Sequence, residues 1–565
     1  MTYNNFITMK KLLIVAFAIL GFVACNDNDL NDVNKGHSGK VETSYISINL
    51  SSAEKTNRAE DGVYQEGLEA ERAVKAAYFF FFDADGDAFP VTAVAGNPAT
   101  APGGEVNWIS ANLNDITTGD MPNVSDIKDA VLVLSTYKGD KPSQIVAVIN
   151  WVPEANRAYS LVDLYEAANI QGVDNGFVMS NAVYSNGQDA IVGTSIDTNK
   201  IFTNPDDALN NPVTIYVERI AAKVTVTANN VENGRYKVQL PDGGILVSGE
   251  NTDVYVKVEG WNLHNDFTQS KLLKKIDPAW DDLNLGFVWN DRPYYRSYWA
   301  NSLELSDIAD NNDFPETFPY LLGDASKVND GEYDANTYTY IGENTNYVVD
   351  NTDECTKVII KAKLQTKNAE GEFEDLRLAR WYTTYYKGVD NLLKAVANTI
   401  KYQYSWHDEE EGSYNYIAPE DLTIAKDGNM VKFQLSTLGE SRNWFLSNGL
   451  TSQTEAEMNE RLGALEKAVY YDDGATLYSV DIKHLGNGGE NGAEHKVGDY
   501  GVVRNHIYNL VLNSFASFGS PVYVPGANLE YPDDPYNPEN VRDYVSAEVR
   551  VLSWRIITQQ VNVQP

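Results

Sequence analysis

The stretch TIYVERIAAKVTVTA, residues 214–228, contains two successive patterns of alternating apolar residues. The first pattern ends near Val217, and the second includes Val224 and Val226. Apolar side chains at every second position are typical of a half-buried strand. The first strand ends and the second begins around Arg219. We place a domain boundary at this point.

The composition predicts a mainly β protein with a few short helices. The chain has 565 residues, which is too long for one ordinary core and suggests two to four domains. Its 35 Tyr and 10 Trp, with short apolar runs broken by Asn, Asp and Gly, favour strands over helices. A formal net charge of -36 repels phosphate backbones, so no nucleic-acid partner is expected.

The N-terminal segment has the layout of an export signal. In MKKLLIVAFAILGFVAC, Met9–Cys25, two lysines precede a short apolar run, and Ala24 stands before the cysteine. The segment resembles bacterial lipoprotein signals, which implies a signal peptide over residues 1–24 and a lipid on Cys25. The alternative is a plain signal peptide with a cysteine there by accident. The polar residues that follow are expected of a flexible tether.

A short strand and a polar loop come after the tether. In VETSYISINL, residues 41–50, the apolar residues Ile46, Ile48 and Leu50 share one face. The polar run over 51–72 predicts an exposed loop with Arg58 in its middle. An arginine in an exposed loop offers a trypsin-like protease its specificity group. An ordinary surface arginine is the alternative, and Arg72 is a competing cleavage site.

Four consecutive phenylalanines mark the next strand. The run AVKAAYFFFFDADGDAFPV, residues 73–91, predicts a central strand that is covered on both faces. Asp83, Asp85 and Asp87 at its tip suggest calcium, but the run lacks the closing glutamate of a calcium loop. A solvated hairpin turn is the favoured interpretation.

Three segments predict helices, and one predicts a solvated loop. The helical segments are SLVDLYEAAN (160–169), DNLLKAVANTIKY (390–402) and TEAEMNERLGALEKAVYY (454–471). The acidic run HDEEEGSY, residues 407–414, is most simply a solvated loop.

No motif nominates a catalytic or metal site, so we predict neither an enzyme nor a cofactor. There is no Walker loop, HExxH, nucleophile elbow or paired CxxC. His484 and His495 flank a loop rich in Gly and Asn, and a metal site there is the disfavoured alternative. With Cys25 lipidated, Cys355 would stand alone as a small core or loop side chain.

Two C-terminal motifs suggest a family. The runs YGVVRNHIYNLVLNSFASFGSP (Tyr500–Pro521) and VSAEVRVLSWRIITQQVNV (Val545–Val563) resemble the C-terminal signature of bacterial fimbrillins. The likeness is strongest to major subunits of the minor-fimbria family, which build type V pili. It extends to the lipoprotein signal and to VERIAAKVTV, residues 217–226. The resemblance implies two transthyretin-like β-sandwich domains, over 59–218 and 219–565.

The resemblance also implies a maturation pathway and a set of partners. A lipidated precursor reaches the outer membrane, where an arginine-specific protease cuts at Arg58 and removes the segment 25–58 with its first strand. A neighbour's C-terminal strand, 549–563, then replaces Ile46, Ile48 and Leu50. Its donor residues would be Val549, Val551, Leu552, Trp554 and Ile556. Copies join head to tail with accessory fimbrial subunits into an extracellular fimbrium that supports adhesion and biofilm formation.

The physical chemistry of strand exchange is consistent with this implication. Removing a strand exposes apolar surface and unpaired backbone groups, and a strand from a second chain satisfies both. Three to five buried side chains give a gross gain of roughly 5 to 15 kcal/mol. The apolar phase of the tail changes after Ile556, which predicts a bulge there. The alternative is a last strand that packs within its own domain.

Four other functions remain open from the sequence. A surface lipoprotein could bind glycans through clustered aromatics, here Trp289, Tyr294, Tyr295 and Trp299, although such clusters are more often core. An uncut Arg58 would fit a fimbrial anchor, and a tip subunit would need no donor strand. A lipid-anchored hydrolase would need a convergent polar site.

Overall fold

In a computed structural model the protein is mainly β with a few short helices, as the composition predicts. The structure describes residues 41–52, 63–64, 67–91, 106–111, 114–116, 127–137, 141–172, 174–185, 190–228, 234–238, 253–276, 295–296, 299–307, 314–328, 333–348, 351–428, 430–447, 449–484, 496–522, 545–553, 555–556 and 558–559. The signal segment, Cys25 and Arg58 lie outside these residues.

The N-terminal part is built on one large sheet. Its strands are β1 (Val41–Ser52), β2 (Val63–Tyr64), β3 (Ala77–Phe82), β4 (Trp108–Ser110), β5 (Asn114–Ile116), β6 (Ile127–Tyr137), β7 (Gln144–Ile149), β8 (Ala167–Asn169), β9 (Met179–Asn181), β10 (Tyr184–Ser185), β11 (Ala190–Ile191), β12 (Thr194–Ser195) and β13 (Val213–Arg219). The order in the large sheet is β4-β3-β7-β9-β13-β1-β6-β5, and β12 pairs with β7.

The phenylalanine run lies where the sequence predicts it, inside the sheet and covered on both faces. β3 pairs with β4 on one side and β7 on the other. Phe79 and Phe81 join one buried cluster, and Phe80 and Phe82 join the other. The alternation along a strand sends successive rings to opposite faces, so each face of the sheet has its own core.

The chain changes sheets just after Arg219. β13 belongs to the large sheet, whereas β14 (Ala221–Ala228) begins a second sheet, with Ile220 fully buried between them. The cluster containing Phe80 and Phe82 also includes Leu272 and Leu273 from the later part of the chain. The two parts therefore share apolar packing at their junction.

The C-terminal part is a two-sheet structure with an inserted subdomain. After β14 come β15 (Arg235–Lys237), β16 (Tyr255–His264), β17 (Gln269–Lys271), β18 (Tyr295–Arg296), β19 (Gly323–Asp324), β20 (Tyr338–Gly342), β21 (Lys357–Lys367), β22 (Phe373–Asp375), β23 (Leu378–Trp381), β24 (Thr384–Lys387), β25 (Tyr404–Asp408), β26 (Ser413–Tyr416), β27 (Leu422–Asp427), β28 (Met430–Leu435), β29 (Trp444–Leu446), β30 (Ser452–Gln453), β31 (Val469–Tyr471), β32 (Ala475–Asp481), β33 (His506–Phe515), β34 (Ser520–Pro521), β35 (Val545–Ser553), β36 (Arg555–Ile556) and β37 (Thr558–Gln559).

One sheet has the order β19-β14-β33-β35-β37 and the other β15-β16-β21-β32-β34. Val224 and Val226 of β14 pack in one buried cluster with Trp261 and Ile360 of the opposing sheet. Apolar side chains from two facing sheets are the core of a β-sandwich.

The described α-helices are short. They are α1 (Pro205–Leu209), α2 (Ala325–Val328), α3 (Gly388–Ile400), α4 (Thr437–Glu440) and α5 (Glu455–Gly463). None of the described helices is long and apolar enough to cross a bilayer. α3 confirms the second helical prediction: Leu392, Val396 and Ile400 repeat at helical spacing and are buried in the subdomain core.

Two helical predictions need correction. The segment 160–169 forms a 3-10 turn at Asp163–Tyr165 and then strand β8, because β8 pairs with β17 from the other part of the chain. The segment 454–471 is helical only as far as Gly463, and Val469–Tyr471 is a strand that pairs with β23. In both segments non-local pairing overrides local helical preference.

Candidate strand-exchange site

Strand β1 lies inside the large N-terminal sheet rather than at its edge. It runs antiparallel to β6, from Val41 opposite Tyr137 to Ser51 opposite Ile127. On its other side it runs parallel to β13, from Ile48 opposite Val213 to Ser52 opposite Val217. Its C-terminal half therefore has a backbone neighbour on both sides.

One residue of the predicted apolar face of β1, Ile46, lies in the core. Ile46 is fully buried and belongs to the cluster that includes Leu132 of β6 and Ile215 of β13. In the backbone register, Ile48 lies opposite Ala130 of β6, and Leu50 lies opposite Ile215. Without β1, two rows of backbone groups and this cluster would be open to water. We call the space between β6 and β13 that β1 fills the acceptor groove.

A buried acidic residue fixes the chain shortly after the first strand. Glu71 and Lys223 of β14 form an ion pair of 2.9 Å with both side chains fully buried. The Tyr340 hydroxyl donates to the same carboxylate oxygen, and the Leu68 N–H donates to the other oxygen at 2.8 Å. Arg219 Nε–H donates to the Glu71 carbonyl at 2.8 Å.

The electrostatics of this anchor follow from its burial. Burial lowers the pKa of Lys223, and the Glu71 charge opposes that shift. Burial and the Glu71 charge raise the pKa of Tyr340 well above its ordinary value, so it stays a neutral donor. The group links the beginning of the N-terminal body to β14 and β20 of the C-terminal part.

The exposed loop predicted over residues 51–72 needs correction at its end. Glu69–Arg72 is a 3-10 helix with Glu71 buried, and Val63–Tyr64 is a short strand. Arg72 is half-buried, with its Nε atom inaccessible to water. The expectation that Arg72 is an exposed residue is therefore wrong.

The C-terminal strand pairs with its own chain in this structure. β35 runs antiparallel to β33, with Val549 opposite Leu510, Val551 opposite Tyr508 and Leu552 opposite Ile507. The two-residue β37 pairs with β35 on its outer side. Trp554 lies outside the described residues. This arrangement corresponds to the interpretation in which the tail packs within its own domain, and any donor role requires the tail to leave it.

The tail also contacts the chain near its beginning. In the β2–β36 pair, Val63 lies opposite Ile556 and Tyr64 opposite Arg555. The backbone of the proposed donor segment therefore lies beside the residues that follow Arg58.

The remaining sequence candidates that the structure describes are not brought together into a site. The Asp83 carboxylate accepts the backbone N–H groups of Asp85 and Asp87 at 3.0 and 2.9 Å, as in a solvated turn. Trp299 is buried, so this member of the proposed glycan cluster is a core residue, whereas Trp289 and Tyr294 lie outside the described residues.

Cys355 and His484 are also interior residues. Cys355 is buried, as its core interpretation predicts, and burial raises its pKa to about 12. His484 is buried, and its Nδ1 is hydrogen-bonded to the Tyr508 hydroxyl at 2.7 Å, while His495 lies outside the described residues. Within the described part of the chain, no three His, Cys, Asp or Glu residues are grouped to hold a metal.

The described residues form a β-rich protein in which strand β1 occupies an internal position of its own sheet. Residues 469–560 match the model of the family described as major fimbrial subunit protein type IV, fimbrillin, C-terminal. This match confirms the fimbrillin resemblance predicted from the C-terminal motifs, and it supports a fimbrial subunit.

Several solved structures are similar over most of the chain. A fimbrilin from Porphyromonas gingivalis is 12% identical, with 92% of this chain and 98% of that chain covered and a TM-score of 0.32. A fimbrial assembly protein from Parabacteroides distasonis is 12% identical, with 72% and 100% covered and a TM-score of 0.25.

The tip fimbrial protein from P. gingivalis with a C-terminal truncation is 12% identical, with 86% and 98% covered and a TM-score of 0.23. These TM-scores are below 0.5, so the fold assignment rests on the sheets described above. A comparison with curated proteins finds no match.

Proposed function

We propose that this protein is a shaft subunit of a bacterial fimbrium that polymerises by donor-strand exchange after its N-terminal segment is cut away. The observation that carries the proposal is the internal position of β1 between β6 and β13, with Ile46 fully buried. A strand in such a position cannot leave without replacement, because its neighbours would lose backbone partners on one side each.

Cleavage at Arg58 would open the acceptor groove without disturbing the anchor at Glu71. Arg58 comes after the end of β1 at Ser52 and before β2 at Val63. Cutting there separates β1 covalently from the rest of the domain, while Glu71 keeps its ion pair with Lys223. An arginine-specific protease is the enzyme this step requires.

The C-terminal strand of another copy would fill the groove. Among the described residues of its own domain, β35 has one long neighbour, β33, and the two-residue β37 on the outer side. In the acceptor groove a strand pairs with β6 on one side and β13 on the other. The exchange would therefore add backbone hydrogen bonds, and a side chain of the incoming strand would bury the core that Ile46 covers in the precursor. Because each copy has one donor and one acceptor, the contacts propagate head to tail into an open filament.

The remaining parts of the proposal concern location and activity. A lipid on Cys25 would hold the precursor at the outer membrane, and cleavage at Arg58 would release it for assembly outside the cell. The fibre, together with accessory fimbrial subunits, would support adhesion and biofilm formation, without enzymatic activity of its own.

The test is cleavage of the purified precursor beginning after Cys25 with a trypsin-like protease, followed by gels of unboiled samples. The comparison chains are Arg58→Ala and a chain ended at Tyr544, which lacks β35–β37. We expect ladders only from the cleaved chain with an intact tail, and cutting at Arg58 before Arg72.

Two results would contradict the proposal. A cleaved chain that stays monomeric, or a tail-truncated chain that forms equal ladders, would show that the tail belongs only to its own domain. An Arg58 that no arginine-specific protease cuts in the folded precursor would favour the anchor role instead.

A further inference from the structure

The inserted subdomain presents aromatic side chains to water on one face of a small sheet. The sheet has the order β26-β25-β29-β30. His407 lies opposite Tyr414, and Ser405 lies opposite both Tyr416 and Phe445, so these five residues share a face. The other face bears Trp444, which is buried in the subdomain core. The first face therefore points away from that core.

Two tyrosines of this face are strongly exposed, and so is Tyr402 just before β25. Tyr402 is 70% exposed, Tyr414 53% and Tyr416 49%. The rings form two contacting pairs, with centroids 5.3 Å apart between Tyr402 and Tyr416 and 5.6 Å apart between Tyr414 and Phe445. We call Tyr402, Tyr414 and Tyr416 the tyrosine face. A group of exposed rings is typical of an interaction surface.

Carboxylates border the tyrosine face at the turn between β25 and β26. Glu409, Glu410 and Glu411 are exposed there, next to the pair of His407 and Tyr414. The Asp408 carboxylate shapes the turn by accepting the backbone N–H groups of Glu410 and Glu411 at 2.9 and 3.1 Å. Within the described residues, no ion pair neutralises these three glutamates.

Rings beside carboxylates favour a cationic partner, because the face of an aromatic ring attracts positive charge. The same chemistry operates inside this protein: Lys223 Nζ lies 3.6 Å from the ring centre of Tyr333, and the Arg442 guanidinium lies 3.7 Å from that of Trp406. A second copy of the chain is a poor occupant, because each copy has a net charge of -36.

We propose that the tyrosine face and its acidic turn bind a lysine- or arginine-rich segment of a partner protein. The chain's own Lys401 Nζ lies 5.8 Å from the ring centre of Tyr402 and 5.9 Å from that of Tyr416. A cationic side chain of the partner would therefore lie over the ring of Tyr414, and neighbouring cations would pair with Glu410 and Glu411. This contact needs neither cleavage nor polymerisation, so it stands or fails separately from the proposed assembly.

The test uses the uncleaved Arg58→Ala precursor beginning after Cys25 and a fluorescent ten-residue peptide of alternating Arg and Gly. Binding is followed by fluorescence anisotropy at low and at high salt. The test variants are the double substitutions Tyr414→Ala with Tyr416→Ala, and Glu410→Gln with Glu411→Gln.

Matched controls separate a specific face from general attraction to an acidic protein. Tyr382 is 64% exposed at a turn in a different sheet and has a φ of 53°, so Tyr382→Asn removes an exposed ring with a residue that tolerates this backbone. Glu370→Gln with Glu372→Gln removes two charges from the exposed turn between β21 and β22. Unchanged thermal unfolding checks that each variant is folded.

We expect the tyrosine double variant to weaken peptide binding about tenfold and the Glu410/Glu411 variant to weaken it several-fold at low salt, with neither control variant changing it. Equal effects of test and control variants would overturn the proposal, since binding would then be general charge attraction. No saturable binding would also overturn it. Binding of neutral oligosaccharides that depends on Tyr414 and Tyr416, with no peptide binding, would assign the face to glycans instead.

Discussion

The two terminal strands of this protein have opposite relations to their sheets. β1 lies between β6 and β13, and Ile46 fills the core beneath it. β35 extends a sheet beyond β33, and in the described part of the chain its outer neighbour is the two-residue β37. Loss of β1 leaves a gap in the middle of its sheet, whereas loss of β35 removes strands from one end of its sheet.

This difference indicates which strand position can accept a strand and which strand can be donated. When an internal strand is removed, the gap exposes unpaired backbone groups on both neighbouring strands and part of the core, so it binds a replacement strand strongly. A strand near an edge can leave with less damage to the domain behind it. The asymmetry gives the proposed assembly a direction, because each copy would receive at its N-terminal domain and donate from its C-terminal domain.

The largest expected effect is that of removing β1. A chain begun at Ala59 and ended at Tyr544 should lose on the order of 5 kcal/mol or more from the free energy of unfolding of its N-terminal domain, through lost burial and backbone pairs. A chain that keeps β1 but ends at Tyr544 should lose clearly less. Calorimetry measures both, and a synthetic peptide of residues 41–52 should restore the first. If the two chains lost the same free energy of unfolding, β1 would contribute no more to stability than β35–β37, which would contradict this prediction.

The next largest effect concerns the anchor that stays after cleavage. Lys223→Met leaves Glu71 buried without its cation and should lower the free energy of unfolding by about 3–5 kcal/mol in urea titrations. Adding Glu71→Gln should recover part of the loss. The control is Lys237→Met, because Lys237 pairs with Asp253 at the surface, and it should leave stability unchanged. If Lys223→Met changed the free energy of unfolding only slightly, the ion pair of Glu71 and Lys223 would not stabilise the contact between the two parts of the chain.

A single core residue of β1 should have a smaller effect that depends on maturation. Ile46→Ala leaves a cavity and should lower the stability of the precursor by about 2–5 kcal/mol. In the cleaved and assembled fibre the same substitution should have no effect, because residue 46 has been removed. Thermal unfolding of both forms checks this, with Val162→Ala, at a position 75% exposed, as the control. A persistent effect in the fibre would show that β1 is retained.

The smallest effect concerns a half-buried carboxyl group in the C-terminal part of the chain, Asp266. Burial raises the pKa of Asp266 from 3.8 to about 6. Its protonated form therefore favours the folded state below about pH 4, and this contribution is lost as pH rises through 6.

Asp266→Asn should thus raise stability by about 1–2 kcal/mol at pH 7.5 and leave it unchanged at pH 4. Calorimetry at the two pH values measures the shift. The same gain at both pH values would contradict a role for this carboxyl group.

Local periodicity was sufficient for many individual elements. The alternation of Ile46, Ile48 and Leu50 predicts a strand, and β1 covers those residues. The phenylalanine run predicts a strand covered on both faces, and the structure has one. These outcomes follow because burial on one or two faces of a strand is encoded by neighbouring residues.

Pairing and anchoring depended on residues far apart in the chain. Sequence alone did not indicate that β1 runs parallel to β13 or that Glu71 is buried against Lys223. It also did not indicate that the predicted helix over 160–169 is a 3-10 turn followed by strand β8. Glu71 lies in a polar run, which predicts an exposed loop. Its burial is stabilised by Lys223, which lies 152 positions later in the chain.

The order of residues along the chain is enough to predict a β-rich protein, fimbrillin-like C-terminal motifs and an apolar face on each terminal strand. The internal position of β1 and the pairing of β35 with β33 of its own chain become visible in the folded chain. This is because a strand's pattern specifies which face is buried, whereas its partner and register are set by non-local backbone pairing and core packing.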